Sequence, residues 1–564
     1  MNGLRNGCLV WIAAAIGLSA CGTVPGGVFS RDGSPAGAYL AARFASVEQE
    51  TSAAADFYAE ALAADPDNVV LLNRTFLLAA SAGDMRRALR LADRIVLDEP
   101  DSRAARLALA VAAMKKHDYP SAALQIRQSA EGPFTSLTTA MIEAWADAGQ
   151  GNIDAGLVAL RRLQFRNGME ALYDFHRALL LDFADRMQEA DQAYRAALGT
   201  TGPSPRIVDA FGRFLERADR GAEALAIYAR LARDNPDHPL MTAAQARIAR
   251  GEKPDRLVRT AEDGAAEALF SVASSLSDER SADVAIFYLQ LALHIRDDLD
   301  LARVLLADQL EAKDKYEAAI EVYKAIPSGS PYRDMVEIQI AVDEARLERK
   351  DAAIARLKAL SERRPRSVEV WTALGDLLRG EERYAEAAAA YDKAVDAVGQ
   401  PTERHWALLY TRGIAYERSQ QWPEAERDLT AALELQPDQP QVLNYLGYSW
   451  VDQGRNLTEA LAMLEKARAL RPLDGYIVDS VGWAYFRLGK FENAAKVLEE
   501  AVLLVPGDPT INDHLGDAYW KVGRRIEARF QWGHALGLDP EKDRRPIIQR
   551  KLNLGLDAGA GGTS

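Results

Sequence analysis

The sequence predicts an all-α solenoid of about fourteen stacked helix pairs, arranged in two segments. Three observations predict it. The chain repeats itself with a period of 34 residues, most clearly towards its C-terminus. Within each repeat, apolar residues fall at spacings of three and four, which draws one apolar stripe on each of two helices. Prolines such as Pro506 and Pro540 recur at the ends of repeats, where they stop the second helix.

The elements follow in order from the N-terminus. Residues 1–20 are expected to be a signal peptide, with Arg5 ahead of an apolar stretch, 8–18, too short to cross a bilayer as a helix. The stretch ends in Leu18-Ser19-Ala20-Cys21, which resembles the bacterial lipobox. That resemblance implies cleavage before Cys21 and acylation of its thiol, and Gly22 rather than Asp after it implies transfer to an outer membrane. Residues 21–34, rich in Gly, Ser and Pro, are then a flexible tether. Cys8 and Cys21 are the only cysteines, so the body has no disulfide and no thiolate metal site.

The first solenoid segment is expected over 35–238 as six gapless units, with 137–170 the least regular. Residues 239–265, which contain Gly251-Glu252-Lys253-Pro254, break the phase and are expected to form an irregular joint. A second segment, 266–542, holds eight units with a short insertion after residue 401. Residues 543–557 suit a capping helix that covers the last apolar face, and 558–564 a disordered tail.

The best registered units read Val478-x-x-Val481-Gly482-x-x-Tyr485 with Ala494, Leu498, Ala501 and Pro506, and Asn512-x-x-Leu515-Gly516-x-x-Tyr519 with Ala528, Trp532, Ala535 and Pro540. A third reads Trp371-x-x-Leu374-Gly375-x-x-Leu378, then Ala387, Tyr391 and Ala394. These resemble tetratricopeptide (TPR) repeats, which implies a right-handed superhelix of antiparallel helix pairs. Because each unit leaves an apolar face open, stacking is what covers it.

Chemistry other than binding finds little support. The net charge of −14, from 68 basic and 82 acidic residues, argues against nucleic acid. The seven histidines show no HExxH or Cys/His ligand spacing, and no phosphate-cradling or nucleophile-elbow motif is present. No cofactor, metal or catalytic residue is expected, and an enzyme is not expected.

In TPR solenoids the first helix of each unit lines the groove. Carried onto this chain, that implies a partner-binding surface of Asn444, Tyr448, Tyr476, Asp479, Trp483, Phe486, Asp513, Asp517 and Trp520, flanked by Gln441, Val451 and Thr510. Such a surface, acidic and aromatic together, suits an extended segment with basic and apolar side chains. The same rings could instead pack between units. Asp479 and Asp513 stand where a carboxylate clamp would need Asn, which argues against capture of a free C-terminus.

The stretch from Leu443-Asn444-Tyr445-Leu446-Gly447-Tyr448 through Asp479-Ser480-Val481-Gly482-Trp483 to His514-Leu515-Gly516-Asp517 resembles the last repeats of outer-membrane TPR lipoproteins of Gram-negative bacteria. Members of that group bring periplasmic carboxyl-terminal processing proteases together with substrates that include peptidoglycan hydrolases. The resemblance implies an adaptor held by lipid on the periplasmic face, with a protease and cell-wall hydrolases as partners. The alternative is a pilotin-like assembly factor for a secretin or polysaccharide-export complex.

Overall fold

The computed structural model describes residues 34–556 apart from 131, 133–134, 165–168, 202–203, 233–237 and 277–280. Cys21, the signal peptide, the tether and the tail over 558–564 lie outside the described residues. What is described is helical, with thirty α-helices, a 3-10 turn at Glu403–His405 and no strand. Among the described residues the helices pair into the expected fourteen hairpins.

Two compact units divide between Ala302 and Arg303. In the first, six consecutive pairs are α1 (Pro35–Val47) with α2 (Thr51–Ala64), α3 (Val69–Ser81) with α4 (Met85–Asp98), α5 (Arg103–Lys115) with α6 (Tyr119–Arg127), α7 (Thr135–Gly149) with α8 (Ile153–Gln164), α9 (Glu170–Phe183) with α10 (Met187–Thr201), and α11 (Pro205–Arg217) with α12 (Gly221–Ala232). A single helix α13 (Pro239–Ala249) follows, then the hairpin of α14 (Ala261–Ser274) and α15 (Ala282–Ile295).

Helix α16 (Asp300–Glu311) spans the division and pairs with α17 (Tyr316–Lys324). The second unit continues with α18 (Arg333–Arg346) and α19 (Lys350–Arg363), α20 (Val368–Gly380) and α21 (Tyr384–Val398), and α22 (Trp406–Arg418) and α23 (Trp422–Leu435). It ends with α24 (Pro440–Asp452) and α25 (Leu457–Leu470), α26 (Gly475–Arg487) and α27 (Phe491–Leu504), α28 (Pro509–Lys521) and α29 (Arg525–Gly537), and a capping helix α30 (Arg544–Leu554).

Local chemistry sets the register. Asp474 caps α26 and Asp508 caps α28, each carboxylate accepting two backbone N–H groups of the first turn. In most pairs the turn holds a residue in the left-handed region at position 15 of the repeat. Gly489 and Gly523 take it without strain, and Asp185, Asp314 and Gln420 take the same conformation elsewhere. The next amide then reaches back over the helix end, as Lys490 N–H does to Tyr485 O at 2.9 Å. Close approach fixes position 8: a Cβ on Gly482 would meet Leu498 at 2.6 Å, and one on Gly516 would meet Trp532 at 2.5 Å. In both pairs the partner is the position-24 side chain of the second helix.

The joint behaves differently from a simple break. The chain loses helical form between α13 and α14, inside the predicted 239–265, yet α14 and α15 do not begin the second unit. They fold back onto the first helices of earlier pairs. Phe287 of α15 meets Phe76 of α3 edge to face at 6.2 Å, and Tyr288 OH lies 3.1 Å from Thr138 Oγ1 of α7. On α14, Glu262 faces His117 at 2.7 Å, Ser271 faces His176 at 3.1 Å, and Gly264 gives the Trp145 ring its room. The buried Glu267 is neutralised by Arg206, whose Nε donates at 2.9 Å. The inner face of the first unit is therefore occupied by its own chain. The boundary falls at residue 302 because the hairpin's apolar surface is buried against α3 to α9.

Candidate functional site

In the second unit the first helices of the last three pairs, α24, α26 and α28, carry the sequence-predicted groove. Burial sorts their residues. Asn444, Tyr448, Trp483 and Phe486 are half-buried, Tyr476 is 57% exposed, and Asp479 is buried. Of the flanking residues, Gln441 is half-buried, Val451 is in the core and Thr510 is exposed.

A stack of rings forms the centre. The Trp483 indole lies on the His514 imidazole with centroids 4.1 Å apart and planes 13° apart, and Phe486 stacks on its other side at 4.8 Å. His514 is buried, with Nδ1 3.0 and 3.1 Å from the two oxygens of Asp479. Burial opposes charging of His514, but the Asp479 carboxylate, backed by Asp513 and Asp517, outweighs it and raises the imidazole above its ordinary value. The protonated form of His514 makes a cation–π contact with the indole above it, which adds to the area buried in the stack. The sequence placed Asp479 in the groove but missed His514. His514 follows Asp513, the counterpart of Asp479 one repeat on, and so falls at a position that the repeat register does not assign to the groove.

Around the stack, three buried polar atoms have no hydrogen-bond partner: Gln441 Oε1 and Asn444 Oδ1 on α24, and Trp483 Nε1 on α26. Two are acceptors and one is a donor, the complement of a polypeptide backbone. Burial, then the carboxylates of Asp479 and Asp452, push the Tyr448 hydroxyl up to about 12, so it remains a hydrogen-bond donor.

The expectation for Asp513, Asp517 and Trp520 is corrected. They do not line an open surface, because α30 lies over them. Lys551 Nζ stands 2.8 Å from both oxygens of Asp513 and 2.7 Å from Asp517 Oδ2. Trp532 Nε1 donates to Asp517 Oδ1 at 2.9 Å, leaving Asp517 only 3% exposed. Burial and the neighbouring Asp513 push Asp517 up to about 6 despite Lys551. Gly555, just past α30, is where the chain crosses the Trp520 ring, and Ile548 enters the core beside Trp532. A cap of the last apolar face was legible, but its lysine reaching around to the groove was not.

The tetratricopeptide-repeat family pattern matches residues 74–134, 338–400, 410–477 and 480–542. Over those residues the chain carries tetratricopeptide repeats. A TPR repeat-containing protein of Pseudomonas aeruginosa is 27% identical over 201 residues, 35% of this chain and 33% of that relative, so the match spans about a third of the relative's length. Among solved structures, a chain of the APC/C heterotetramer Cut9–Hcn1 is 15% identical and covers 93% of this chain and 97% of its own, with a TM-score of 0.37. Yeast Tom70 is 12% identical over 92% of this chain and 94% of its own, with a TM-score of 0.33. YrrB, described as a TPR protein with an unusual peptide-binding site, is 21% identical over 34% and 92%, with a TM-score of 0.27. Tetratricopeptide repeats as a class are protein-interaction scaffolds.

Proposed function

We propose that this TPR protein is a non-catalytic adaptor, anchored by lipid at Cys21 on the periplasmic face of the outer membrane, which brings a carboxyl-terminal processing protease to substrates such as cell-wall hydrolases. The observation that carries the binding mode is the set of unpartnered polar atoms of Gln441, Asn444 and Trp483 beside the Trp483 ring stack. A buried polar atom without a partner costs about 1–3 kcal/mol, a cost that an extended segment laid across α24 and α26 removes. The first unit, by contrast, has filled its inner face with α14 and α15. The anchoring and the protease rest on the Leu18-Ser19-Ala20-Cys21 motif and on the resemblance of the last repeats.

The test is photo-crosslinking in living cells from a benzophenone side chain at position 476 or 448, followed by mass spectrometry. Crosslinks to a periplasmic processing protease or its substrate support the adaptor. Recovery of secretin or export-pore subunits instead overturns it.

A further inference from the structure

One device recurs through the repeats: the ring at position 24 of the second helix donates to an acid at position 9 or 12 of the first helix. Tyr194 does so to Asp182 at 3.3 Å, Tyr228 to Glu216 at 2.9 Å, Tyr391 to Asp376 at 2.7 Å and Trp532 to Asp517 at 2.9 Å. In each case the chain also supplies a cation. Arg217 lies 2.7 Å from Asp182, Arg247 2.8 Å from Glu216, Arg379 3.6 Å from Asp376 and Lys551 2.7 Å from Asp517.

The pair α16 and α17 has the device without the cation. Tyr323 OH stands 2.9 Å from Asp308 and 2.7 Å from Glu311, and its single proton cannot satisfy both. A third carboxylate, Asp343 of α18, is wholly buried, and neither of its oxygens has a hydrogen bond. Burial, then repulsion from Glu311, pushes Asp343 up to about 7, with Arg346 opposing from beyond ion-pair distance and Asp308 adding to the rise. Arg346 occupies position 13 of its repeat, where Arg217 stands in the unit after Asp182. It is turned instead onto Tyr316, donating to the hydroxyl at 3.0 Å with its guanidinium 5.0 Å from the ring centre. Among the described residues no side chain lies at ion-pair distance from Asp308, Glu311 or Asp343, and no group of acids is arranged to hold a metal ion. Asp308 is exposed and Glu311 half-buried, so the cluster opens to solvent on its α16 side, while Asp343 is closed off.

We propose that Asp308, Glu311 and Asp343 form a socket for a lysine or arginine side chain of a bound polypeptide. The inference rests on the reading of the second unit as a polypeptide-binding surface and adds a chemical requirement, a basic residue in the partner. Lys551 between Asp513 and Asp517 shows the occupied form of such a site within the same chain. In the socket the cation comes from outside.

The probe is a fluorescently labelled, end-blocked pentalysine peptide, titrated at low ionic strength into the full chain and followed by anisotropy. Asp308→Asn with Glu311→Gln, and separately Asp343→Asn, should each weaken binding about tenfold or more. Glu362→Gln with Glu434→Gln, which removes the same charge from exposed positions, should leave binding unchanged. Without probe, Asp343→Asn should melt at a higher temperature than the parent, since it removes an uncompensated buried charge. Unchanged binding in the socket variants, or an equal loss in the control, overturns the socket. Crosslinking from positions 448 and 476 reads the adaptor separately. A partner captured there without socket-dependent peptide binding sinks only the socket, and the reverse outcome sinks only the adaptor.

Discussion

The ammonium of Lys551 lies 2.7 Å from Asp517 Oδ2, so the last helix of the chain neutralises an acid that its repeat register directs into the groove. Lys551→Ala leaves Asp513 and Asp517 close together without their cation. Removing one partner of such a buried pair costs about 3–5 kcal/mol. Faster hydrogen exchange and proteolysis of α30, with the earlier repeats unaffected, is the expected result.

Trp483→Ala should separate binding from folding. The indole is half-buried and stacks on His514 and Phe486, contacts worth about 1 kcal/mol beyond area. Loss of a central aromatic anchor costs a bound partner about 2 kcal/mol or more. Circular dichroism should be nearly unchanged while partner crosslinking falls. Trp520→Ala should instead loosen α30, because that ring sits under the chain at Gly555.

Stability of the second unit should fall as pH rises. Asp517, His514 and Asp343 all have folded-state values raised above their ordinary ones, to about 6 for Asp517 and about 7 for Asp343. A raised group stabilises fully below its unfolded pKa, near 4 for the acids and near 6.5 for histidine, and loses that contribution as pH passes its folded value. Thermal melts at about pH 5 should therefore exceed those at about pH 8. Asp343→Asn should remove the part of the slope that lies between about pH 4 and 7.

In the first unit, Gly264→Ala puts a methyl group into the Trp145 ring. Overpacking of this kind costs about 1–3 kcal/mol. The expected outcome is a lower melting temperature together with loosened packing of α14 against α7, read by Trp145 fluorescence.

Cys21→Ser should abolish metabolic labelling by palmitate and release the protein from membranes on fractionation. Membrane attachment that persists in this variant contradicts the anchor.

The repeats were legible because position 8 and position 24 carry complementary sizes, as in Gly516 with Trp532 and Gly375 with Tyr391. Those contacts are local in sequence, and spacing reports them. The fold-back of α14 and α15 was not legible. Apolar spacing marks a stripe on a helix but does not say which surface it will meet, and Glu267 finds Arg206 across 61 residues. The groove was half legible for the same reason. Asp479 and Trp483 are placed by their own helix, whereas Asp513 and Asp517 are claimed by a lysine that no repeat position predicts.

The hairpin of α14 and α15 also governs the order in which the chain can mature. A ribosome releases the helices of α3 to α9 well before residues 261–295, so the surface they share must wait, open to water, for a plug that has not yet been made. Linear repeat arrays escape this delay because every neighbour is already present. The first unit instead couples early and late segments as a globular domain does, which predicts slower, more cooperative folding and a need for protection while translation is incomplete.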